Sequence, residues 1–230
     1  MKTQIKRIFN YIEAKNSAAY LKKHYPRTVV DITNIVKSTN MGYENLKIPM
    51  WKNADLVRIL ERYNPSYICE FGSGTTTAIF NAWIDIDPDL RKAITFESHP
   101  TWYEILLANI KFSKNYIYIL SSIDKLGSAA SFHEKPTIFE PDFVYIDAPP
   151  IEGQIEYNSD FIWIINNYSL PKVFVVDVRY KTVAEMYKIF RQRNSNFKLY
   201  VSREFPVDLL GENANYQVGN DIRHSIFELN

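Results

Sequence analysis

From Tyr67 onward the chain alternates between short apolar runs and amphipathic segments. The runs at 67–71, 93–97, 116–120, 142–147 and 172–177 predict strands, and the segments at 75–84, 101–112, 159–168 and 182–193 predict helices. The helix at 101–112 places Trp102, Ile105, Leu106 and Ile110 inward. The helix at 182–193 opens on Thr182-Val-Ala-Glu185, a capping-box pattern, and buries Val183, Met186 and Phe190. Upstream, Asn53 to Tyr63 carries Leu56, Val57, Leu60 and Tyr63 on one helical face, and Asn64-Pro65 stops it. Residues 1 to about 50 read as helical and irregular, with Ile5, Ile8, Phe9 and Ile12 at helical spacing. Strand–helix alternation with short links implies a parallel sheet covered on both faces. The tail breaks the rhythm. Lys198 to Val201 and Ser225 to Leu229 read as strands around a long polar stretch that begins at Ser202, which fits a last antiparallel strand inserted beside its predecessor.

Composition narrows the class. The 230 residues are 46% apolar and 23% charged, enough for one large core and unlike a disordered chain. A net charge of +1 gives no general attraction to nucleic acid or anionic membrane. The longest apolar run, Phe161 to Ile165, is too short to span a bilayer. The basic start lacks the apolar segment of a signal peptide, so a cytoplasmic protein is expected. Cys69, the single cysteine, falls within a predicted strand and reads as a buried, inert thiol. His133 and His224 read as structural or surface residues.

The chemistry concentrates at strand ends. Tyr67-Ile-Cys-Glu-Phe-Gly-Ser-Gly-Thr-Thr-Thr77 joins an apolar run, an acid (Glu70), two glycines (Gly72 and Gly74) and a helix start. Such a turn lets backbone N–H groups approach a nucleotide-like ligand, although a plain strand-to-helix connection needs the same residues. Glu97 ends the next run, where a carboxylate can accept hydrogen bonds from ribose hydroxyls. A dinucleotide fingerprint wants a third glycine at Thr77, which weakens a nicotinamide or flavin reading. Asp147 ends the run Phe143 to Ile146 and should point into the same crevice. Pro149 and Pro150 stiffen the exit. Val173-Phe-Val-Val-Asp177-Val-Arg179 repeats the design, with an Asp177–Arg179 ion pair as its plain reading. Two converging strand-end acids could hold a divalent cation on oxygen ligands.

The Glu70-x-Gly72-x-Gly74 pattern, the acid Glu97 and the Asp147-Ala-Pro-Pro150 box resemble class I S-adenosylmethionine-dependent methyltransferases, in their small-molecule O-methyltransferase branch. The resemblance covers about 53–230. It implies a Rossmann-like three-layer α/β sandwich with a mostly parallel seven-stranded sheet, ordered 3-2-1-4-5-7-6, and an antiparallel last strand. Residues 1–52 become an N-terminal helical extension that forms part of a lid. The implied cofactor is S-adenosylmethionine, with S-adenosylhomocysteine as product, held by Glu70, Gly72, Ser73, Gly74, Thr75, Thr76, Glu97, Ser98, His99 and Asp147. Asp147 is the first candidate for deprotonating or orienting an acceptor, and Asp177 the second. The implied partner is a small-molecule acceptor, a hydroxyl of a sugar or secondary metabolite. The loop 151–157 would line its pocket. Metal-assisted relatives bring three acidic or amide ligands. Val178 stands where a doubled acid would supply one, which disfavours a divalent metal. The rival readings are an NAD(P)-dependent oxidoreductase and a non-catalytic S-adenosylmethionine- or nucleotide-binding subunit.

Overall fold

The computed structural model describes residues 15–39, 47–148, 153–177, 179–193, 195–201, 205–206 and 224–229. The helical face of Ile5, Ile8, Phe9 and Ile12, and Pro149, Pro150 and Val178, lie outside the described residues. The chain opens with helix α1 (described over 15–24), α2 (Pro26–Ser38) and α3 (Lys47–Tyr63). The alternating part follows: β1 (Tyr67–Phe71), α4 (Thr75–Ile86), β2 (Lys92–Glu97), α5 (Pro100–Asn109) and β3 (Tyr116–Leu120). Next come three short strands and one core strand: β4 (Ile123–Leu126), β5 (Ala129–Phe132), β6 (Phe143–Ile146) and β7 (Tyr157–Asn158). The chain ends with α6 (Asp160–Asn167), β8 (Val173–Asp177), α7 (Tyr180–Gln192), β9 (Phe197–Val201), β10 (Phe205–Pro206) and β11 (His224–Leu229).

Seven strands lie in the order β3-β2-β1-β6-β8-β11-β9, and the two-residue β10 extends the β9 edge. Strand β11 is antiparallel to both β8 and β9; β3, β2, β1, β6 and β8 are mutually parallel. This is the expected Rossmann-like sandwich, including the inserted last strand. The side-chain period of two divides the core. Ile68, Phe143, Tyr145, Val173, Val175 and Ile226 face the layer of α1 to α5. Cys69, Phe71, Val144, Ile146, Phe174, Val176 and Phe227 face α6 and α7, where Phe161, Ile164, Met186 and Phe190 pack. Cys69 is free and buried, as its place in β1 predicts.

Three details differ from the pattern-based expectation. Helix α3 begins at Lys47, ahead of the Asn53 start read from the pattern, and buries Met50 and Trp51. Leu21, Ile32 and Ile35 of α1 and α2 are fully buried in the same core as Ala54, Leu56 and Leu60. Helix α7 starts at Tyr180, so Thr182 does not cap it; the Thr182 hydroxyl instead accepts the Asn158 N–H at 3.0 Å. The side sheet β4-β5-β7 escaped notice because its strands are two to four residues long and partly exposed.

That side sheet is anchored by a buried acid. Asp160 accepts the Phe132 N–H at 3.0 Å, the Asn158 amide at 2.9 Å and the Lys135 ammonium at 2.8 Å. Removing it leaves the half-buried Lys135 ammonium without its counter-charge and strands buried N–H donors. Asp160→Ala is therefore expected to lower unfolding free energy by about 3 kcal/mol in a denaturant titration.

Candidate functional site

The glycine turn is built around a buried carboxylate. Glu70 is fully buried. It accepts the Thr76 hydroxyl at 2.6 Å, the Thr77 hydroxyl at 2.9 Å and the Thr95 hydroxyl at 2.7 Å. Burial raises its pKa to about 8 against the pull of these three donors, and Asp147 adds to the rise. Glu70 thus lies beneath the turn, with its oxygens committed to the protein. Thr76, expected at the ligand, points inward to the same carboxylate. Thr77, notable in sequence only for not being glycine, accepts the Gly74 N–H at 3.0 Å through its hydroxyl and donates its own N–H to the Gly74 carbonyl at 3.2 Å.

The two glycines serve different ends. Gly72 has φ +92°, and a Cβ there would fall 2.4 Å from the Ala148 Cβ and 2.9 Å from the Asp147 carbonyl carbon. Only glycine allows the β1 turn and the β6 end to touch this closely. Gly74 is extended, at φ 175°, and a Cβ there would meet nothing within 4 Å. The turn is therefore open on the Gly74 side.

Glu97, at the end of β2, closes the next position. One of its oxygens accepts the Ser98 and His99 N–H groups, each at 2.7 Å. The other accepts the Ser73 N–H at 3.0 Å and the Ser73 hydroxyl. Tyr118 of β3, missed in the sequence, reaches the Ser73 hydroxyl at 2.9 Å and stacks on Tyr103 with ring centroids 4.6 Å apart. The His99 side chain is exposed, and its contribution is its backbone N–H. Thr75 is half-buried at the first position of α4.

Four N–H groups of the turn and helix start are already used. Gly72 donates to the Phe96 carbonyl at 2.9 Å, Ser73 to Glu97, Gly74 to Thr77 and Thr77 back to Gly74.

Asp147 forms the opposite wall. Its N–H donates to the Phe71 carbonyl at 2.8 Å, and Asn158 holds the Ala148 carbonyl at 2.8 Å. Arg179 donates to the Asp147 carbonyl and lies 3.4 Å from its carboxylate, while Lys52 of α3 pairs with Asp177. The ion pairing thus differs from the expected Asp177–Arg179 pair. Arg179 goes to Asp147 because α7 begins one residue later, and Lys52 takes Asp177 because α3 extends upstream. The Asp147 side chain is 41% exposed, and Asp177 is 4% exposed. Desolvation first and Asp177 second raise the Asp147 pKa to about 6, against Arg179 and Lys52. Among the described residues no group of three or more His, Cys, Asp and Glu side chains is arranged to hold a metal ion. His133 lies on the surface against Asp124, at 3.0 Å.

No family model matches the chain, and no curated protein matches it in sequence. Solved structures do match in fold. An O-methyltransferase from Bacillus cereus in complex with S-adenosylhomocysteine superposes with a TM-score of 0.54 at 10% identity, covering 92% of this chain and 95% of the other. The S-adenosylhomocysteine-bound methyltransferase of Podospora anserina gives 0.52 at 12% identity, covering 94% and 95%. The chain has the class I methyltransferase fold.

Two outcomes follow from the turn. Gly72→Ala is expected to lower the thermal midpoint by several degrees, by about 2 kcal/mol or more, whereas Gly74→Ala leaves it within about 0.5 kcal/mol. Glu70 titrates at about 8 when folded against 4.5 ordinarily, so the native protein keeps a proton that the unfolded chain releases. Stability is then greatest below 4.5 for this group and declines as pH rises toward 8. Unfolding free energies of wild type and Glu70→Gln at pH 5.5 and 8.5 should show wild type losing a few kcal/mol relative to the variant.

Proposed function

We propose that the protein is an S-adenosylmethionine-dependent methyltransferase acting on a hydroxyl of a small molecule. The observation that carries the reading is the meeting of the Gly72–Gly74 turn, Glu97 and Asp147 at the carboxyl ends of adjacent parallel strands. Ligands of open α/β sheets sit outside that edge. The open face at Gly74 supports seating the amino-acid portion of the cofactor there, and Glu97 beside Ser73 is proposed to take the ribose hydroxyls. Thr77, standing where a dinucleotide fingerprint has its third glycine, supports this reading over a nicotinamide dinucleotide. S-adenosylhomocysteine in the two structural neighbours agrees with this reading.

The sulfonium supplies an activated methyl group, and the protein's contribution is alignment, worth about 7–11 kcal/mol at best. As the acceptor oxygen takes the methyl, the carbon–sulfur bond breaks with its electron pair going to sulfur, and the hydroxyl proton passes to a carboxylate. Asp147 is proposed as that carboxylate, because it is the more exposed acid at the cleft and Arg179 fixes its peptide. Asp177, paired with Lys52, is proposed to orient the acceptor. Part of the amino-terminal segment is proposed to cover the acceptor.

Calorimetry with S-adenosylmethionine tests the site. Wild type should bind one equivalent and Glu97→Ala should bind roughly tenfold to hundredfold more weakly. Gly74→Arg should not bind while keeping its thermal midpoint, and NADH should not bind at all. Undiminished binding in both variants would remove the site. In an acceptor screen, turnover should rise with pH through about 6 as Asp147 ionises, and Asp147→Asn should lose that limb together with roughly 100-fold or more in kcat. A methyl on nitrogen or carbon would refute the hydroxyl assignment.

A further inference from the structure

The carboxylate assigned to the ribose is already saturated by the protein's own donors. An ionised carboxylate offers about four acceptor sites, two on each oxygen. At Glu97 the Ser98 and His99 N–H groups take Oε1, each at 2.7 Å. The Ser73 N–H, at 3.0 Å, and the Ser73 hydroxyl take Oε2. Glu97 is also only 6% exposed. A ribose hydroxyl that donates to Glu97 has to displace one of these four donors.

Three of the four belong to fixed backbone. Ser98 and His99 lead into α5, with His99 as N-cap and Pro100 in its first turn. The Ser73 N–H follows Gly72, which is wedged against Ala148 at φ +92°. The Ser73 hydroxyl alone can leave by rotation about a single side-chain bond. Ser73 is half-buried, and the turn is open beside it at Gly74. Its one proton goes to Glu97, so the Tyr118 hydroxyl, 2.9 Å away, donates to the Ser73 oxygen. That second bond strengthens the first, and the Tyr103 stack holds Tyr118 in place.

We propose that the Ser73 hydroxyl, fastened by Tyr118, is an exchangeable stopper on Glu97 that a ribose hydroxyl of the cofactor replaces on Oε2. Ser73 and Tyr118 are then positioning residues that set how readily the cofactor enters. Deleting the stopper removes a bond that only the closed arrangement contains, so it weakens the fold and strengthens binding together. The inference rests on reading Glu97 as the ribose acid, and adds which protein group gives way to the ribose.

Calorimetry with S-adenosylhomocysteine and thermal melts of the full chain test it. Ser73→Ala should melt at a lower temperature without ligand yet bind S-adenosylhomocysteine roughly three- to tenfold more tightly. Tyr118→Phe should tighten binding by less and add nothing to Ser73→Ala. In a Glu97→Ala background the gain from Ser73→Ala should vanish, because the two side chains act on one bond. A purely structural role predicts weaker melting and weaker binding together, and a hydroxyl that itself grips the ligand predicts weaker binding. Unchanged or weaker binding in Ser73→Ala, or a gain that survives Glu97→Ala, overturns the proposal. A wild-type crystal with S-adenosylhomocysteine needs no variant to fold. It should show the Ser73 N–H still on Glu97 and the hydroxyl beyond hydrogen-bond reach; a hydroxyl that stays on Glu97 beside a bound ribose also overturns the proposal. Wild type that binds NADH and not S-adenosylhomocysteine would fault the methyl-transfer reading, and the same variants titrated with NADH would then decide the exchange. Binding of neither removes both.

Discussion

The cleft depends on the approach of Gly72 to the Asp147–Ala148 strand end. Two parallel strands normally diverge into their loops beyond the last ladder bond. Here the β1 turn, with its positive φ and no side chain, lies flat against the backbone leaving β6. Glu70 supports the turn from below through three threonine hydroxyls. Arg179 and Asn158 hold the other backbone from α7 and the side sheet. Burying a carboxylate is costly, and the three hydroxyl donors offset part of that cost. The return is a rigid turn in which the Gly72, Ser73 and Gly74 N–H groups are satisfied before any ligand arrives.

Charge divides the cleft into two regions. On the β2 side, Glu97 is surrounded by neutral donors from Ser73, Ser98 and His99, a setting suited to hydroxyl groups. On the β6–β8 side, two acids and two cations, Asp147 with Arg179 and Asp177 with Lys52, nearly neutralise one another. The close pairing leaves carboxylates anchored in place. Asp55, His224 and Tyr145 form a buried hydrogen-bonded line in the core, with His224 opposite Asp177.

Much of this was legible in the sequence. The alternation of apolar runs with helical spacing located all seven long strands and their order-breaking tail, because strands buried on both faces must be continuously apolar. The strand-end acids Glu97, Asp147 and Asp177 were visible because an acid closing such a run has few structural uses. Other features were hidden because they depend on long-range contacts. Nothing local says that Lys52 will meet Asp177 across 125 positions, or Asp55 meet His224 across 169. Thr76 and Thr77 gave no sign of turning inward to Glu70, since threonine at a helix start serves a cap, a ligand or a core equally well. His224 read as a structural or surface histidine, and it is fully buried. Its partners on either side could be found only from the register of β11 against β8.

The central claim, that the Gly72–Gly74 turn, Glu97 and Asp147 frame a methyl-donor site, is tested most directly by a crystal structure of the protein with S-adenosylhomocysteine. The account predicts the ribose hydroxyls on Glu97, the amino-acid end against the open face of Gly74 and the sulfur directed to the side where Asp147 and Asp177 lie. A ligand bound elsewhere, or one whose ribose leaves Glu97 untouched, would contradict it.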